Sequence, residues 1–331
     1  MAQQSETINR PGIADERLRA ENLQQLARNQ VRSTPGFWLR AWRRFRRNKP
    51  SMVGLAVLVL IVLFVAAAPL ISEYITGFTY QNNNLRAKLA PVGAELTVNA
   101  GRADERVATF YLGADGNGRD VLTRLAYGGR VSLIFAVLTA AAIIILGGLI
   151  GAVAGFFGGF IDSFLMRIAD ALLAFPLLVL LILVSSFYQP GIVVLALFIG
   201  AFGWPGVSRL IRGEVLSLRQ RDYVEAARVS GASNSRIISR HIMPNVLPIV
   251  VVWASLAIPA VILTEAALSY LGLGVQVPTP SWGNMLQDAK QFYRQSWTLV
   301  FIPGFAIYLT VLVINLVGVG LRDALDPRLN E

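Results

Sequence analysis

The chain contains no cysteine, a single histidine and few charged residues. Without thiols, disulfide bridges, zinc fingers and thiol catalysis are excluded. With His241 as the only imidazole, metal centres and Ser/His catalysis have almost no ligands or bases to draw on. Charged residues make up only 15% of the sequence, against about 25% in an ordinary soluble domain. These deficits argue against a soluble protein.

Apolar residues are what the sequence has in excess. They account for 54% of the chain, and the mean hydropathy is +0.54. Uncharged windows recur at the length of about 20 residues that a helix needs to cross a bilayer. The window at 171–208 is too long for one crossing and is interrupted by Pro190-Gly191, which predicts a turn between two spans. We therefore predict an all-α polytopic membrane protein with six transmembrane helices, at 52–71, 131–161, 167–187, 191–210, 246–268 and 298–320.

Basic residues are distributed unevenly between the two sides of these spans. The chain carries 30 basic and 20 acidic residues, for a net charge of +10. Segments 1–51, 156–166, 211–245 and 321–331, with the adjacent Arg167 and Arg209, hold 21 of the 30 bases. By the positive-inside rule these segments and both termini are cytoplasmic, in a cytoplasmic (inner) membrane. Topology accounts for the net charge, and nucleic acid is not an expected partner.

Changes in amino-acid composition divide the chain into segments. Residues 1–34 are polar and lack hydrophobic periodicity, which predicts a disordered cytoplasmic N-terminus. In 35–50, Phe37, Trp38, Trp42 and Phe45 recur at helical spacing among arginines, which predicts an interfacial amphipathic helix with its aromatic residues toward membrane lipid. The remaining segments are the first span and its extracytoplasmic loop (51–110), a transmembrane domain (111–321) and a cytoplasmic tail (322–331). We assign no chemistry to the loop at 73–110.

Glycines spaced by four mark one face of the second predicted span. Gly147, Gly151 and Gly155 lie above one another on a helix and allow a second helix to approach closely. This spacing predicts packing and carries no information about what crosses the membrane.

The segment between the fourth and fifth spans is the most informative part of the sequence. Read as a helix, it places Tyr223, Ala226 and Ala227 on one face, and Gly231 is positioned to end that helix. Pro244 is expected to stop a second short helix before the next span. The pattern predicts a short helix with a small, smooth face that fits a groove in another protein.

Three motifs in this chain resemble one family. Glu225-Ala226-Ala227, followed after three residues by Gly231 and then by His241-Ile242-Met243-Pro244-Asn245, resembles the E-A-A loop of ABC-importer permeases, the membrane subunits of binding-protein-dependent transporters. Residues 111–133 resemble the L-G-T-D-x-x-G-R-D segment, and residues 265–286 the E-x-x-L-S-F-L-G-L-G segment, of the dipeptide, oligopeptide and nickel transport subfamily.

The resemblance implies a type I ABC-importer permease fold and a set of partners. We expect a second permease subunit, forming a heterodimer, together with two ABC ATPases and an extracytoplasmic solute-binding protein. The chain has no GxxxxGK[ST] phosphate loop, so ATP and Mg²⁺ are expected on the ATPase subunits, with no cofactor on this chain. Peptides are the expected solutes, with nickel chelates and oligosaccharides as alternatives, moved by ATP-driven alternating access.

By the same resemblance, the coupling loop at 213–245 carries the contacts to the ATPase. Its expected coupling residues are Tyr223, Glu225, Ala226, Ala227, Gly231 and Pro244. Glu225 either pairs with an arginine of the ATPase or caps its own loop.

A mixed-charge run precedes the second span, and two acids fall near membrane depth. Asp115, Gly118, Arg119, Asp120 and Arg124 form either a structural elbow, which we favour, or a docking surface for the binding protein. Arg124 is expected to pair with Asp120 at i, i+4. Asp170 and Glu265 are candidates for the pathway or for structural roles, and Asp170 is expected to pair with Arg167, one turn away.

Two other classes of function remain as alternatives. An ion-coupled secondary transporter would need more membrane-embedded charges and inverted repeats that we do not find. A polytopic membrane enzyme would need clustered nucleophiles, acids or metal ligands near one membrane face, which one histidine and no cysteine make improbable.

Overall fold

The computed structural model describes residues 36–98, 106–187 and 191–325. The predicted disordered segment at 1–34 and residues 326–331 of the predicted tail lie outside the described residues. Among the described residues, five helices are long and apolar enough to cross a bilayer, and a bent helix pair supplies a sixth candidate by length and composition. This agrees with the six predicted spans.

Two helices open the described chain. α1 (Phe37–Arg47) and α2 (Lys49–Ala66) are separated by Asn48, whose side chain accepts a hydrogen bond from the Ser51 amide at 3.2 Å and caps α2. α2 leads into α3 (Ala68–Leu70) and a π-helical turn that ends at Gly77. The first span is therefore helical over the predicted range and for several residues beyond it.

The segment after Gly77 contains the only strands among the described residues. β1 (Ala94–Val98) and β2 (Arg106–Phe110) pair in antiparallel orientation, with Ala94 opposite Phe110. Phe110 is fully buried and stacks on Phe78 with ring centroids 4.4 Å apart, whereas Val107 is exposed, as the alternation of a strand requires. This hairpin is the one departure from the predicted all-α class.

The second and third spans differ in detail from the predicted ranges. α4 (Val121–Phe157) begins ten residues before the predicted start at 131 and ends where Gly158 adopts φ +67°. α5 (Gly159–Ala174) and α6 (Leu177–Phe187) are bent by 73° across Phe175-Pro176, so the predicted third span is two helices rather than one. Proline disfavours helical geometry at the preceding residue, which accounts for the break.

α7 (Ile192–Leu218) extends two turns past the predicted end at 210 and is followed after a short turn by α8 (Asp222–Val229). Next come α9 (Asn234–Ile237), a π-helical turn (Ile238–Ile242) and α10 (Met243–Tyr270). The chain ends its described part with α11 (Trp282–Ala289) and α12 (Thr298–Leu325).

Pro244 does not stop a helix, contrary to the prediction. It lies in the first turn of α10, where its missing amide costs no helical hydrogen bond. The preceding π-helical turn keeps the chain helical, because the Met243 amide donates to the Ile238 carbonyl five residues back. The Asn245 side-chain amide also donates to the His241 carbonyl at 2.7 Å. The local change of helical pitch thus accommodates the proline.

α1 packs on the far end of the chain. Ala41 and Phe45 are buried against Ala324 and Leu325 at the end of α12. The expectation that all the aromatic residues of this segment turn toward lipid is therefore wrong for Phe45, while Trp42 remains about half exposed. The side chain of Phe37 lies outside what the structure describes.

α4 and α7 pack through the predicted glycine face. A Cβ on Gly151 would lie 2.5 Å from the Ser208 carbonyl oxygen, and one on Gly155 would lie 2.8 Å from that of Arg212. A Cβ on Gly147 would meet Val207 at 2.8 Å. The two backbones approach too closely for any side chain larger than hydrogen, which confirms the packing prediction.

We expect Gly151→Ala to lower the stability of the folded chain by about 1–3 kcal/mol, because the added methyl group displaces α7. Gly213→Ala is the matched control, since no atom lies within 4 Å of its Cβ position in α7 and alanine favours helix. Thermal midpoints of the two purified variants in detergent make the comparison. Equal midpoints would contradict the close approach of α4 and α7.

Candidate functional site

A tight turn before α4 is organised by one carboxylate. The Asp115 Oδ1 accepts hydrogen bonds from the amides of Asn117 at 2.8 Å and Arg119 at 3.0 Å. Gly118 adopts φ +70°, and a Cβ there would lie 1.8 Å from the Asn84 carbonyl oxygen. Only glycine satisfies both the backbone angle and this contact. The turn therefore presents Arg119 and the start of α4 in one arrangement.

Four charged side chains form a buried cluster beside this turn, which we call the Asp115–Asp288 cluster: Asp115, Arg119, Arg124 and Asp288. Arg119 donates from Nε to Asp115 at 2.7 Å and from its terminal nitrogen to Asp288 at 2.5 Å. Arg124 pairs with Asp115 and donates to Asp288 at 3.0 Å. The two arginines are at most 5% exposed. Two positive and two negative charges cancel, as burial demands.

Asp288 was not among the predicted site residues. It lies on α11, 164 residues from Arg124, so no local spacing identifies the pair. A charge count contains a signal, however. The run 111–133 has three arginines and two aspartates, and Asp288 is the only acid in the segment 269–297 that the same topology places on that side. The surplus cation of the run therefore has a single candidate partner in that segment.

Asp120 does not pair with Arg124, contrary to the prediction. Its Oδ2 accepts a hydrogen bond from the Thr123 amide at 2.7 Å and caps α4, while Arg124 turns to the Asp115–Asp288 cluster. Burial raises the pKa of Asp120 to about 6, against the lowering by its hydrogen bonds to Thr123. The nearby Asp115 charge acts in the same direction as burial.

Glu265 is completely buried in α10 and bonded to serines from two helices. One carboxylate oxygen accepts from Ser132 of α4 at 2.9 Å, and the other accepts from Ser269 at 2.7 Å. Ser269 in turn accepts from the Val275 amide at 3.1 Å. Each carboxylate oxygen therefore has a protein donor, which favours the structural role over the pathway role for this residue.

The same serines connect α11 to α4. The Trp282 amide donates to the Ser132 hydroxyl at 3.3 Å, and the Trp282 indole donates to the Leu125 carbonyl at 3.0 Å. A Cβ on Gly128 would lie 3.2 Å from the Ser281 backbone, and one on Gly129 would meet the Trp282 ring at 2.6 Å. The segments at 111–133 and 265–286 therefore fold as one structural unit. Its buried side chains favour the structural elbow, and binding-protein docking stays a prediction.

Asp170 pairs with Arg209 of α7 rather than with Arg167, so the predicted local ion pair is wrong. Both side chains are about half exposed, at 60% for Asp170 and 47% for Arg209. Because α5 runs beside α7, the interhelical partner is within reach.

α8 presents the predicted coupling residues on an exposed helix. Glu225 and Ala226 are exposed, Tyr223 is 42% exposed, and Ala227 is half-buried. Val224 points the other way and is completely buried, which attaches the helix to the main core. The face is thus accessible to another protein while its backbone is held by the bundle.

Gly231 ends α8 as predicted. Its φ of +77° is left-handed, its amide donates to the Arg228 carbonyl at 3.0 Å, and the Ala232 amide donates to the Ala227 carbonyl at 3.0 Å. These paired bonds are the Schellman arrangement that glycine permits at helix ends. Pro244 lies further along, exposed at the start of α10.

An apolar helical bundle of membrane-spanning length, with buried polar clusters and one short exposed helix on a connecting loop, is the architecture of a polytopic membrane protein. The chain belongs to the family described as binding-protein-dependent transport system inner membrane component, whose model matches residues 147–331. Residues 36–91 match the N-terminal TM domain of oligopeptide transport permease C.

Named relatives agree with this assignment. The chain is 39% identical to the oligopeptide transport system permease protein OppC of Haemophilus influenzae, over 88% of each chain. It is 39% identical to OppC of Escherichia coli K12, over 88% of this chain and 91% of that protein. It is 38% identical to the dipeptide transport system permease protein DppC of Alkalihalophilus pseudofirmus, over 89% and 91%. The chain is a transporter subunit rather than an enzyme, and the secondary transporter is set aside.

We expect Asp288→Asn to destabilise the chain by about 3 kcal/mol, since it leaves two buried guanidinium groups facing one carboxylate. Asp170→Asn, which breaks the exposed pair with Arg209, is the control and should cost less than about 1 kcal/mol. The measurement is the thermal midpoint followed by tryptophan fluorescence. A small effect of Asp288→Asn, equal to that of the control, would contradict the energetic role of the cluster.

Asp120 predicts a pH dependence of stability. Its pKa rises on folding from 3.8 to about 6. Its contribution to the free energy of unfolding is therefore fully present below pH 3.8 and is lost as the pH rises through 6. Asp120→Asn keeps a capping oxygen and does not titrate, so its stability relative to the parent should increase between pH 4 and 7 by up to about 3 kcal/mol. Thermal midpoints of the parent and of Asp120→Asn across this pH range test the prediction. The variant Asp120→Ala shows how much stability is lost with the helix cap alone. A difference independent of pH would refute it.

Proposed function

We propose that this chain is the permease subunit of an ATP-driven importer of peptides. It forms a translocation pathway with a second, non-identical permease, receives solute from an extracytoplasmic binding protein and is driven by two ABC ATPases. ATP and Mg²⁺ belong to the ATPase subunits, and this chain holds no cofactor. The peptide class is supported by the names of relatives whose alignments cover nearly nine-tenths of this chain.

The orientation follows from charge. We infer that both termini and α8 lie on the cytoplasmic side, because the segments sharing that side carry 21 of the 30 basic residues. The Asp115–Asp288 cluster and the β1–β2 hairpin then lie on the opposite side, where the binding protein delivers solute. α1, with its arginines and exposed Trp38 and Trp42, is placed at the cytoplasmic lipid interface.

The observation that carries the proposed mechanism is the geometry of α8. A helix can transmit the movement of an ATPase only if it is both exposed to that partner and held by the transmembrane helices. α8 meets both conditions, with Ala226 and Glu225 exposed and Val224 completely buried. Small exposed side chains let the helix enter a groove, and Glu225 supplies a carboxylate for an arginine of the ATPase.

Affinity purification from native membranes in a mild detergent tests the assembly. Mass spectrometry should identify ABC ATPases, a second permease and a solute-binding protein with the tagged chain. The reconstituted complex should then take up a radiolabelled tripeptide such as Ala-Ala-Ala in an ATP-dependent manner. A chain that purifies alone, in a detergent that preserves comparable complexes, would argue against the proposal. Assembly with ATP-dependent uptake of another solute would contradict the peptide class only.

We expect Ala226→Trp to reduce recovery of the ATPases at least tenfold, because a large ring on the exposed face prevents α8 from entering its groove. Arg322→Trp, at an exposed position near the end of α12 and outside the coupling loop at 213–245, is the control and should retain them. Since both positions are exposed, neither variant should lower the thermal midpoint. Full recovery of the ATPases with Ala226→Trp would place the contact elsewhere on the chain.

A further inference from the structure

Two arginines near the end of α7 contact the corner between α4 and α5. Arg212 donates through two nitrogens to both carboxylate oxygens of Asp162, one of these bonds measuring 2.6 Å. Arg219, two turns later, donates to the carbonyls of Gly155 at 3.1 Å and Phe156 at 3.2 Å. We call these contacts the α7–corner contacts.

Arg219 satisfies groups that a helix cannot satisfy alone. The last four carbonyls of any α-helix have no amide partner within it, and they carry partial negative charge. Gly155 and Phe156 belong to this last turn of α4, which ends at Gly158. A guanidinium group placed there supplies both hydrogen bonds and a favourable charge. The contact is therefore directional, and it joins two helices at their ends.

Between the two arginines, α7 is held on α4 by the buried Val215 and also contains an exposed glycine. Gly213 follows Arg212 directly, it is exposed, and no atom lies within 4 Å of its Cβ position. Glycine lowers the rigidity of a helix. The α7–corner contacts hold α7 on both sides of this glycine. Without Arg219, the last turns of α7 would be held on α4 by the apolar packing of Val215 alone, which is not directional.

Only two residues separate Arg219 from α8. The turn between them is hydrogen-bonded throughout, with Arg219 N to the Val215 carbonyl at 2.9 Å, Arg221 N to Leu218 at 3.1 Å, and Val224 N to Arg221 at 2.9 Å. Because these hydrogen bonds fix the turn, a displacement of α8 also displaces the end of α7. Beside the apolar packing of Val215 and Val224, Arg219 makes the hydrogen bonds that connect this end of α7 to α4.

We propose that Arg219 is a positioning residue that transmits the displacement of α8 to the corner between α4 and α5, with the Arg212–Asp162 pair as its support. This inference rests on the proposed function of α8. If Arg219 has this role, its removal separates ATP hydrolysis from peptide transport. A complex lacking Arg219 assembles and hydrolyses ATP, but part of the movement is absorbed by sliding of Val215 on α4 and by bending of α7 at Gly213.

The test uses the complete complex in proteoliposomes, with ATP hydrolysis and uptake of labelled Ala-Ala-Ala measured together. We expect Arg219→Gln to retain its ATPase subunits and to raise the ATP consumed per peptide imported at least fivefold. Arg219→Lys, which keeps a cationic donor, should give an intermediate ratio. Arg322→Gln is the control, since Arg322 is exposed near the end of α12 and lies outside the coupling loop at 213–245, and its ratio should equal that of the parent.

A merely structural role would reduce assembly, hydrolysis and uptake together and leave their ratio unchanged, which would overturn the proposal. Full uptake by Arg219→Gln with an unchanged ratio of ATP consumed to peptide imported would overturn the proposal as well. If Arg219→Gln fails to assemble, the charge exchange Asp162→Arg with Arg212→Asp decides. Each single change should raise the ratio, and the double variant should restore it, whereas no rescue would refute the role of the pair. Failure of the parent chain to bind ATPases would instead refute the proposed function of α8.

Discussion

The close approach of α4 and α7 is the constraint on which the remaining structure depends. At Gly151 and Gly155 the two helices meet backbone to backbone, so their separation is set by hydrogen atoms rather than by adjustable side chains. With that contact in place, both ends of α4 are held by charge: Arg124 of its first turn reaches Asp288 on α11, and its last carbonyls accept from Arg219 of α7. α4 thereby links one side of the bundle to the other.

The two sides are built by different chemistry. Near the start of α4, the charges of the Asp115–Asp288 cluster are paired and Glu265 is buried and hydrogen-bonded, which favours one arrangement because any rearrangement would leave unpaired charge in a low-dielectric interior. Near its end, Asp162 and Arg212 are only partly buried, and α8 is exposed. Salt bridges exposed to water contribute less and exchange partners more readily.

Hydropathy and motif spacing predicted most of the fold because spans and helix ends depend on local sequence. The glycine face of α4 and the end of α8 at Gly231 follow from spacing and from backbone angles that only glycine adopts readily. Partners of charged side chains were mispredicted where the local candidate lost to a distant one: Asp120 caps a helix, and Arg124 and Asp170 reach other helices. Pro244 was mispredicted because a π-helical turn, which no residue pattern announces, accommodates it.

The contact between the two ends of the chain bears on the order of assembly. Ser51 in α2 donates to the Leu316 carbonyl of α12 at 2.8 Å across 265 positions of sequence, and a Cβ on Gly54 would meet Leu316 at 3.0 Å. During synthesis the first span therefore enters the membrane long before its partner exists. The contact between α2 and α12 can form only once α12 has been inserted. A ribosome that stops before α12 leaves α2 without this neighbour, so the bundle forms only after α12 has been synthesised.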